Sequence, residues 1–326
     1  YIGYQTVVIP EIMVSSAKEV VLNLKLVEDV SALDEIVVRP EQEKGRPVND
    51  MAMISARSFT VEETSRYPAS ISDPARMAKN FAGVTGGDDA GNEIIIRGNS
   101  PTSMLWRLEG VEIPSPNHFS EEGYSSGFVS ILSANLIDNS DFLTAAFPGE
   151  YGNAIAGVFD INLRKGNNRK RETAIQIGVM GTDVALEGPF KKAYNGSYLV
   201  NYRYSTLGLM DKMGLLGTAD GVPKYQDLSF KLNLPAGRAG VFSVWGIGGN
   251  AESVDKNELI PEDWETYWDR LTFKYSTAMG ATGLSHTWFI DDKSYLKSTL
   301  ALTAQSTTDK QEIYNNTGLA SESITS

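Results

Sequence analysis

The 326-residue chain has no cysteine, which excludes a disulfide framework, a thiolate metal site and a cysteine nucleophile. Histidine is almost as scarce. His118 and His286 stand far apart without ligand-spaced partners, so no zinc site is expected. No stretch reaches the about 18 consecutive apolar residues that a transmembrane helix needs. That absence does not touch a transmembrane barrel, whose strands are shorter and apolar on one face only. Basic residues are also few: 29 stand against 41 acidic ones, for a net charge of −12, with nothing longer than the Arg169-Lys170-Arg171 cluster. The attraction to phosphate that drives nucleic-acid binding is missing, so nucleic acid is discounted as a partner. A Gly-x-Ser-x-Gly elbow, a P-loop and a dinucleotide fingerprint are all absent. No enzyme, catalytic residue, cofactor or resident metal is therefore expected. Asp88, Asp89 and Asn92 do not have the spacing or the terminal Glu of a calcium loop, and an acidic capping turn is the plainer reading.

What is present is a change of texture near residue 171. Before it lies a compact, glycine-punctuated segment centred on Ile94-Ile95-Ile96-Arg97-Gly98-Asn99 and Trp106-Arg107-Leu108-Glu109-Gly110-Val111-Glu112. After it come strands of period two: Tyr198, Val200, Tyr202 and Tyr204 oppose Asn201, Arg203 and Ser205, and Leu228, Phe230, Leu232 and Leu234 oppose Asp227, Ser229, Lys231 and Asn233. A soluble sandwich has the same alternation, so the pattern alone leaves lipid and core equally open. Connection lengths favour a barrel. Leu207–Lys224 and Asn250–Tyr267 read as long, Pro235–Ala239 and Met279–Gly283 as short, and outer-membrane barrels have short periplasmic turns and long outer loops. The Asn195-Gly196 turn fits the short side, and the tight Asp291-Asp292-Lys293 turn reads as an exception. Tyr198, Tyr202, Tyr204, Trp264, Tyr267 and Trp268 are available for interfacial girdles.

The expected fold is dominated by β-structure and has four parts. Residues 1–33, with β-type stretches at Tyr4–Ile9 and Val20–Val27, read as the end of a β-sandwich. Residues 34–50 are a charged, proline-bounded linker with one sticky extended segment. Residues 51–165 form an α+β unit, with a helix expected within Ser72–Ala82, capped by Ser72 or Asp73 and carrying Pro74 in its first turn. Residues 166–326 are antiparallel strands of a partial transmembrane β-barrel, about eight in number. The chain opens in mid-pattern on Tyr1-Ile2-Gly3-Tyr4 without a signal sequence, and reads as a piece of something longer.

Several segments resemble, in order, the N-terminal half of TonB-dependent outer-membrane receptors. Asp73-Pro74-Ala75-Arg76 through Phe81-Ala82-Gly83-Val84 is similar to the family's early plug helix and "PGV" turn, Glu93-Ile94-Ile95-Ile96-Arg97-Gly98-Asn99-Ser100-Pro101 to its "IRG" strand, and Leu105 to Pro116 to its "LDGV" strand. The stretch from Glu150-Tyr151-Gly152-Asn153-Ala154 through Asn162-Leu163 resembles the closing "YG…GGVINI" of the plug. Leu33-Asp34-Glu35-Ile36-Val37-Val38 looks like the end of a carboxypeptidase-like regulatory domain merging into a TonB box. Asp141–Phe147 departs from the usual "EVLRGP", which removes the second plug arginine.

The resemblance implies import of a scarce ligand across the outer membrane of a Gram-negative-type cell, with the N-terminal part in the periplasm. An adhesion or signalling receptor on the same scaffold is the alternative, and a soluble β-rich enzyme or carbohydrate-binding module a third reading. Expected partners are the periplasmic domain of TonB, outer-membrane lipid and a small-molecule, metal-chelate, glycan or peptide ligand. Asp34, Glu35, Ile36, Val37 and Val38 are expected to add as a strand to TonB. Arg97, expected to be buried and paired with barrel carboxylates, and Glu109 are expected to latch the plug. Asn99, Ser100, Arg107, His118, Phe119 and Tyr124 are candidates for ligand contact.

Overall fold

The computed structural model describes residues 20–21, 47–49, 51–52, 55–59, 73–87, 91–178, 181–213, 222–255, 264–291, 294–314 and 320–325. The expected sandwich remnant, apart from residues 20 and 21, and the segment Asp34–Val38 lie outside the described residues.

The first unit comprises β1 (Ala56–Phe59), α1 (Pro74–Ala78), β2 (Val84–Thr85), β3 (Ile95–Ile96), β4 (Met104–Leu108), β5 (Val111–Ile113), β6 (Asn117–His118), β7 (Val129–Ser130), β8 (Ser140–Leu143) and β9 (Gly157–Ile161). A five-stranded sheet runs in the order β1-β8-β9-β4-β5, with β4 and β9 parallel. Of the helix expected within Ser72–Ala82, only α1 forms. Asp73 caps it through Oδ1, which accepts from the Ala75 amide at 2.8 Å, and Pro74 occupies the first turn. The helix stops because the Asn80 side chain bonds back to the Met77 carbonyl and Gly83, at φ +79°, turns the chain into β2.

Phe142, Phe159 and Trp106 are register partners on β8, β9 and β4. The Trp106 ring stacks on Phe159 at 4.5 Å and the Phe142 ring lies tilted against Phe159 at 4.4 Å, and all three are buried. Each such burial contributes on the order of 2–3 kcal/mol. This face shares one core with Leu199, Trp245, Ile247, Met279 and Ala281 of the second unit.

The second unit is a wall of eight antiparallel strands, each paired with its sequence neighbours. They are β10 (Glu172–Ile177), β11 (Thr182–Pro189), β12 (Ser197–Tyr204), β13 (Lys224–Pro235), β14 (Val241–Asp255), β15 (Leu271–Phe289), β16 (Tyr295–Tyr314) and β17 (Ala320–Thr325), with α2 (Leu207–Lys212) between β12 and β13. One expectation is corrected here: Met279–Gly283 is not a turn but the middle of the 19-residue β15. The small residues serve packing instead. Gly283 pairs with Trp245, and a Cβ on it would come within 2.5 Å of the indole Cζ2. Gly283→Ala is expected to destabilise the protein by about 1–3 kcal/mol through overpacking, read as a lowered urea midpoint.

That correction also removes the exception at Asp291. One end of the wall now carries the connections 190–196, 236–240 and 290–294, all short, while the other carries 205–223 and 256–270 as well as the brief 178–181 and 315–319.

The faces of the wall are used in the opposite sense to a soluble sandwich. On β13, Asp227 and Ser229 are 2% and 1% exposed, against the first unit, while Leu228 between them is 45% exposed. Ile175, Leu186, Tyr202, Leu284, Leu300 and Leu302 share the exposed face, and Leu199, Asn201, Lys231 and Ser285 the buried one. A wall that covers its polar side and bares its apolar side suits a lipid exterior and a filled interior. Val200, Phe230 and Leu232, which the sandwich reading would bury, are half-buried, and Tyr202 is exposed.

Candidate functional site

The first unit is held to the inner face of the wall by three sets of polar ties. Glu109 and Gly110 turn β4 into β5 with both residues at positive φ, +55° and +86°, the geometry of a two-residue hairpin. This turn aims Glu109 at the wall, where Oε1 receives Lys231 Nζ at 2.6 Å and the Leu163 amide at 2.8 Å. Lys231 also donates to the Leu163 carbonyl at 2.6 Å, and both charged side chains are buried.

The second tie is built on β6 and β7, a hairpin laid against β13. His118 Nε2 lies 2.8 Å from Asp227 Oδ2, which also accepts from Arg203 Nε at 2.9 Å and Nη2 at 2.6 Å. Arg203 and Asp227 are cross-strand partners, and the guanidinium reaches back to the Ser130 carbonyl. Burial holds the His118 imidazole below its ordinary pKa, opposed by its hydrogen bond to the Asp227 carboxylate. Beside it the Phe119 amide, at φ +62°, donates to Thr277 Oγ1 at 3.2 Å.

The third tie holds the exit from β9. Arg164 grips Glu187 with two bonds of 2.8 and 3.2 Å, the Asn167 amide adds a third at 2.9 Å, and Ser133 donates to Asp183 at 3.1 Å.

The residues singled out from the sequence are scattered over this interface. Glu109 is in the first tie. Arg97, expected buried and paired with the wall, is exposed at φ +51°: the turn that it forms with Gly98 swings it out of the apolar strand, and its stem lies beside Gly83. Among the candidates for ligand contact, His118 is covered and engaged with Asp227 because its hairpin is pressed against the wall. Phe119 is half-buried against Phe128, and Tyr124 donates to Glu93. Asn99 and Ser100 are exposed, with Ser100 capping the short turn at Pro101. Arg107 lies elsewhere, ion-paired with Glu150 at 3.2 Å and with Asp160 at 3.5 Å. Asp227, Arg203, Lys231, Glu187 and Thr277 were not singled out beforehand. Their signal was a charged or hydroxyl side chain on the polar side of alternating strands, which acquires meaning only when that side is known to be covered.

Arg107 belongs to a row of charges across the sheet, Asp141, Asp160, Arg107 and Glu112, set side by side by the register of β8, β9, β4 and β5. Burial, and the two acids' mutual repulsion, hold Asp141 above the usual carboxylate range, opposed by the bonds it accepts. Burial likewise raises Asp160, against the pull of Arg107. Asp141 accepts from the amides of Val48 and Asn49, both at 2.8 Å. Asn49 in turn donates to Glu150 at 2.7 Å and Tyr151 at 3.0 Å. Residues 47–49, the described end of the linker, are thereby fastened to the first unit on the side near Lys297, the third residue of β16 at the short-turn end.

Residues 50–158 match the family model described as the TonB-dependent Receptor Plug Domain. The first unit is a plug domain. Solved structures with the same fold include the siderophore receptor PirA from Acinetobacter baumannii, at 19% identity and a TM-score of 0.50, with 83% of this chain and 43% of that one covered. The outer membrane transporter YddB from Escherichia coli matches at 12% identity and a TM-score of 0.53, covering 79% and 40%. The ferric-catecholate import receptor Fiu from E. coli K12 matches at 10% identity and a TM-score of 0.50, covering 80% and 40%. The chain thus spans less than half the length of these structures. No curated protein matches it significantly. The plug covers the inward-facing, polar side of a partial barrel wall.

Proposed function

We propose that this chain is the plug and the first wall strands of an outer-membrane importer driven by TonB. The observation that carries the reading is the inverted wall: its outward apolar side bare, and its inward side bonded to a plug through a small set of charged ties that flank the shared core around Trp245. Such a stopper is held firmly and is releasable, because pulling exchanges each tie for hydrogen bonds to entering water.

In this mechanism a ligand binds between the plug and the long loops. The end of the wall bearing those loops faces outward, and the end bearing the short turns faces the periplasm. The fastening of residues 47–49 near Lys297 supports this orientation, since it leads the upstream chain out on the periplasmic side. Asp34–Val38, some ten residues further upstream, would be offered there to TonB as an added strand, with main-chain bonds supplying affinity. Force applied at that segment reaches the plug first at Asp141 and then at β1, the edge strand of its sheet. No bond is made or broken covalently in any of these steps. The ligand is a scarce small molecule, metal chelate, glycan or peptide.

The experiment is binding of the periplasmic domain of TonB to the full-length protein, comparing wild type with Ile36→Pro. Proline removes a backbone donor and cannot sit within a paired strand. Binding is expected to fall at least tenfold in the variant, with the barrel unaffected. Equal binding by both proteins, or none by either, would remove Asp34–Val38 from the proposal.

A further inference from the structure

The chain is strongly acidic, yet the short-turn end of its wall is basic. Arg169, Lys170 and Arg171 lead into β10 at that end, Lys191 and Lys192 sit in the 190–196 turn, and Arg238 sits in the 236–240 turn. All six are exposed. Among the described residues of those three segments and of the 290–294 turn, Asp291 is the one acid. In a chain with 41 acidic and 29 basic residues, this is a local reversal of sign.

The rim lies directly against the bared apolar band. Phe190, Trp288 and Ile290 are exposed beside it, and Phe242 stacks on His286 at 4.2 Å on the same side. Arg171 shows how a charge is carried at this border. Its stem lies across Gly188 on the outward face, where a Cβ would come within 2.8 Å of Arg171 Cγ and 3.2 Å of the Tyr198 hydroxyl. Gly188 and Tyr198 are register partners, and Tyr198 continues through Leu232, Val244 and Leu284 to Leu300 in one outward row. The glycine leaves a groove in which an aliphatic stem lies on the apolar surface while its guanidinium reaches the headgroup level.

We propose that this rim is a binding surface for anionic phospholipid headgroups, in the leaflet that surrounds the short-turn end of the barrel. The inference rests on the barrel reading and goes beyond it: the chemistry recognised is a phosphodiester of net negative charge, held by several cations above a band that takes the acyl chains. Each basic residue near a charged lipid surface contributes about a fivefold preference. The rim thereby fixes the depth of the wall and orients it, since the opposite end lacks a comparable basic border among its described residues: Glu265 and Asp269 stand there beside Arg270.

The test uses the full-length protein in detergent, mixed with equal amounts of phosphatidylglycerol and phosphatidylcholine of matched acyl chains, and native mass spectrometry to count retained lipid. Wild type is expected to retain phosphatidylglycerol at least fivefold over phosphatidylcholine. The triple variant Lys191→Gln, Lys192→Gln, Arg238→Gln, which keeps Arg169, Lys170 and Arg171, should lower the ratio severalfold, and Lys224→Gln, exposed at the other end of β13, should leave it unchanged. Equal retention by wild type would overturn the proposal, as would a ratio that is unchanged in the triple variant or lowered equally in Lys224→Gln. Lipid A, also phosphorylated, forms a third arm, and a preference for it over phosphatidylglycerol that the triple variant abolishes would overturn the assignment to a phospholipid leaflet. Heat-modifiable gel migration is scored for each protein beforehand. A wild type that stays soluble without detergent and shows no such migration overturns the barrel reading itself, an outcome distinct from those above.

Discussion

Replacing Lys231 with methionine is expected to destabilise the plug within its barrel by about 3–5 kcal/mol, the cost of leaving a buried charge without its counter-ion. Glu109 is covered and draws its compensation from Lys231 Nζ at 2.6 Å and a single amide at 2.8 Å. Without the ammonium, the carboxylate keeps one bond and loses its cation. The Leu163 carbonyl loses its lysine donor in the same stroke. Methionine fills nearly the same volume, so the loss is electrostatic rather than a cavity. The double variant Lys231→Met, Glu109→Gln should recover most of the stability, because a neutral amide is far cheaper to bury than an unpaired carboxylate. Limited proteolysis of the plug in the reconstituted full-length protein measures the effect. Rapid plug cleavage is expected in the single variant, with heat-modifiable migration of the barrel retained. A single variant as resistant as wild type would mean that the tie does not hold the plug.

The second large effect is on the outer face. Phe230 stands in the outward row Leu186, Val200, Phe230, Gly246, Thr282 and Leu302, and its ring lies over Gly246, where a Cβ would approach within 2.7 Å. This row is near the middle of the bared band. Arginine there is expected to cost about 2–4 kcal/mol of insertion free energy, whereas Tyr204→Arg, at the end of β12, should cost about 0–1 kcal/mol. The gradient is the diagnostic part. A soluble sandwich would make Phe230→Arg destructive through its core and would show no dependence on distance along the strand from a membrane midplane. Equilibrium folding into lipid vesicles, followed by intrinsic tryptophan fluorescence, resolves the two. Equal effects at both positions would exclude a lipid-facing band.

Local pattern was enough for the β-dominated fold class and for several of its details. The texture change near residue 171 separates plug from wall, the alternation in Ser197–Thr206 and Tyr225–Leu234 locates β12 and β13, and Asp73-Pro74 marks the start of α1. These features depend on chain neighbours, which a sequence displays directly. Where the reading failed, a distant residue had overridden a local preference. Met279 to Gly283 has the composition of a turn, but Trp245, across the sheet, needs the space that Gly283 leaves, and the strand runs straight through. Arg97 follows an apolar strand and reads as buried, but its turn carries it outward.

The sequence by itself determined that the chain alternates with period two, which residues share a strand face, and that charge sits on the polar side of β12 and β13. Which face is covered was decided by the tertiary structure alone, because period two is identical in a sandwich and in a barrel until something occupies one side. The partners of Glu109, His118 and Arg164 were decided in the same way. Lys231, Asp227 and Glu187 lie 122, 109 and 23 positions away, and ion pairs at such separations follow from how the plug seats against the wall, not from any spacing along the chain.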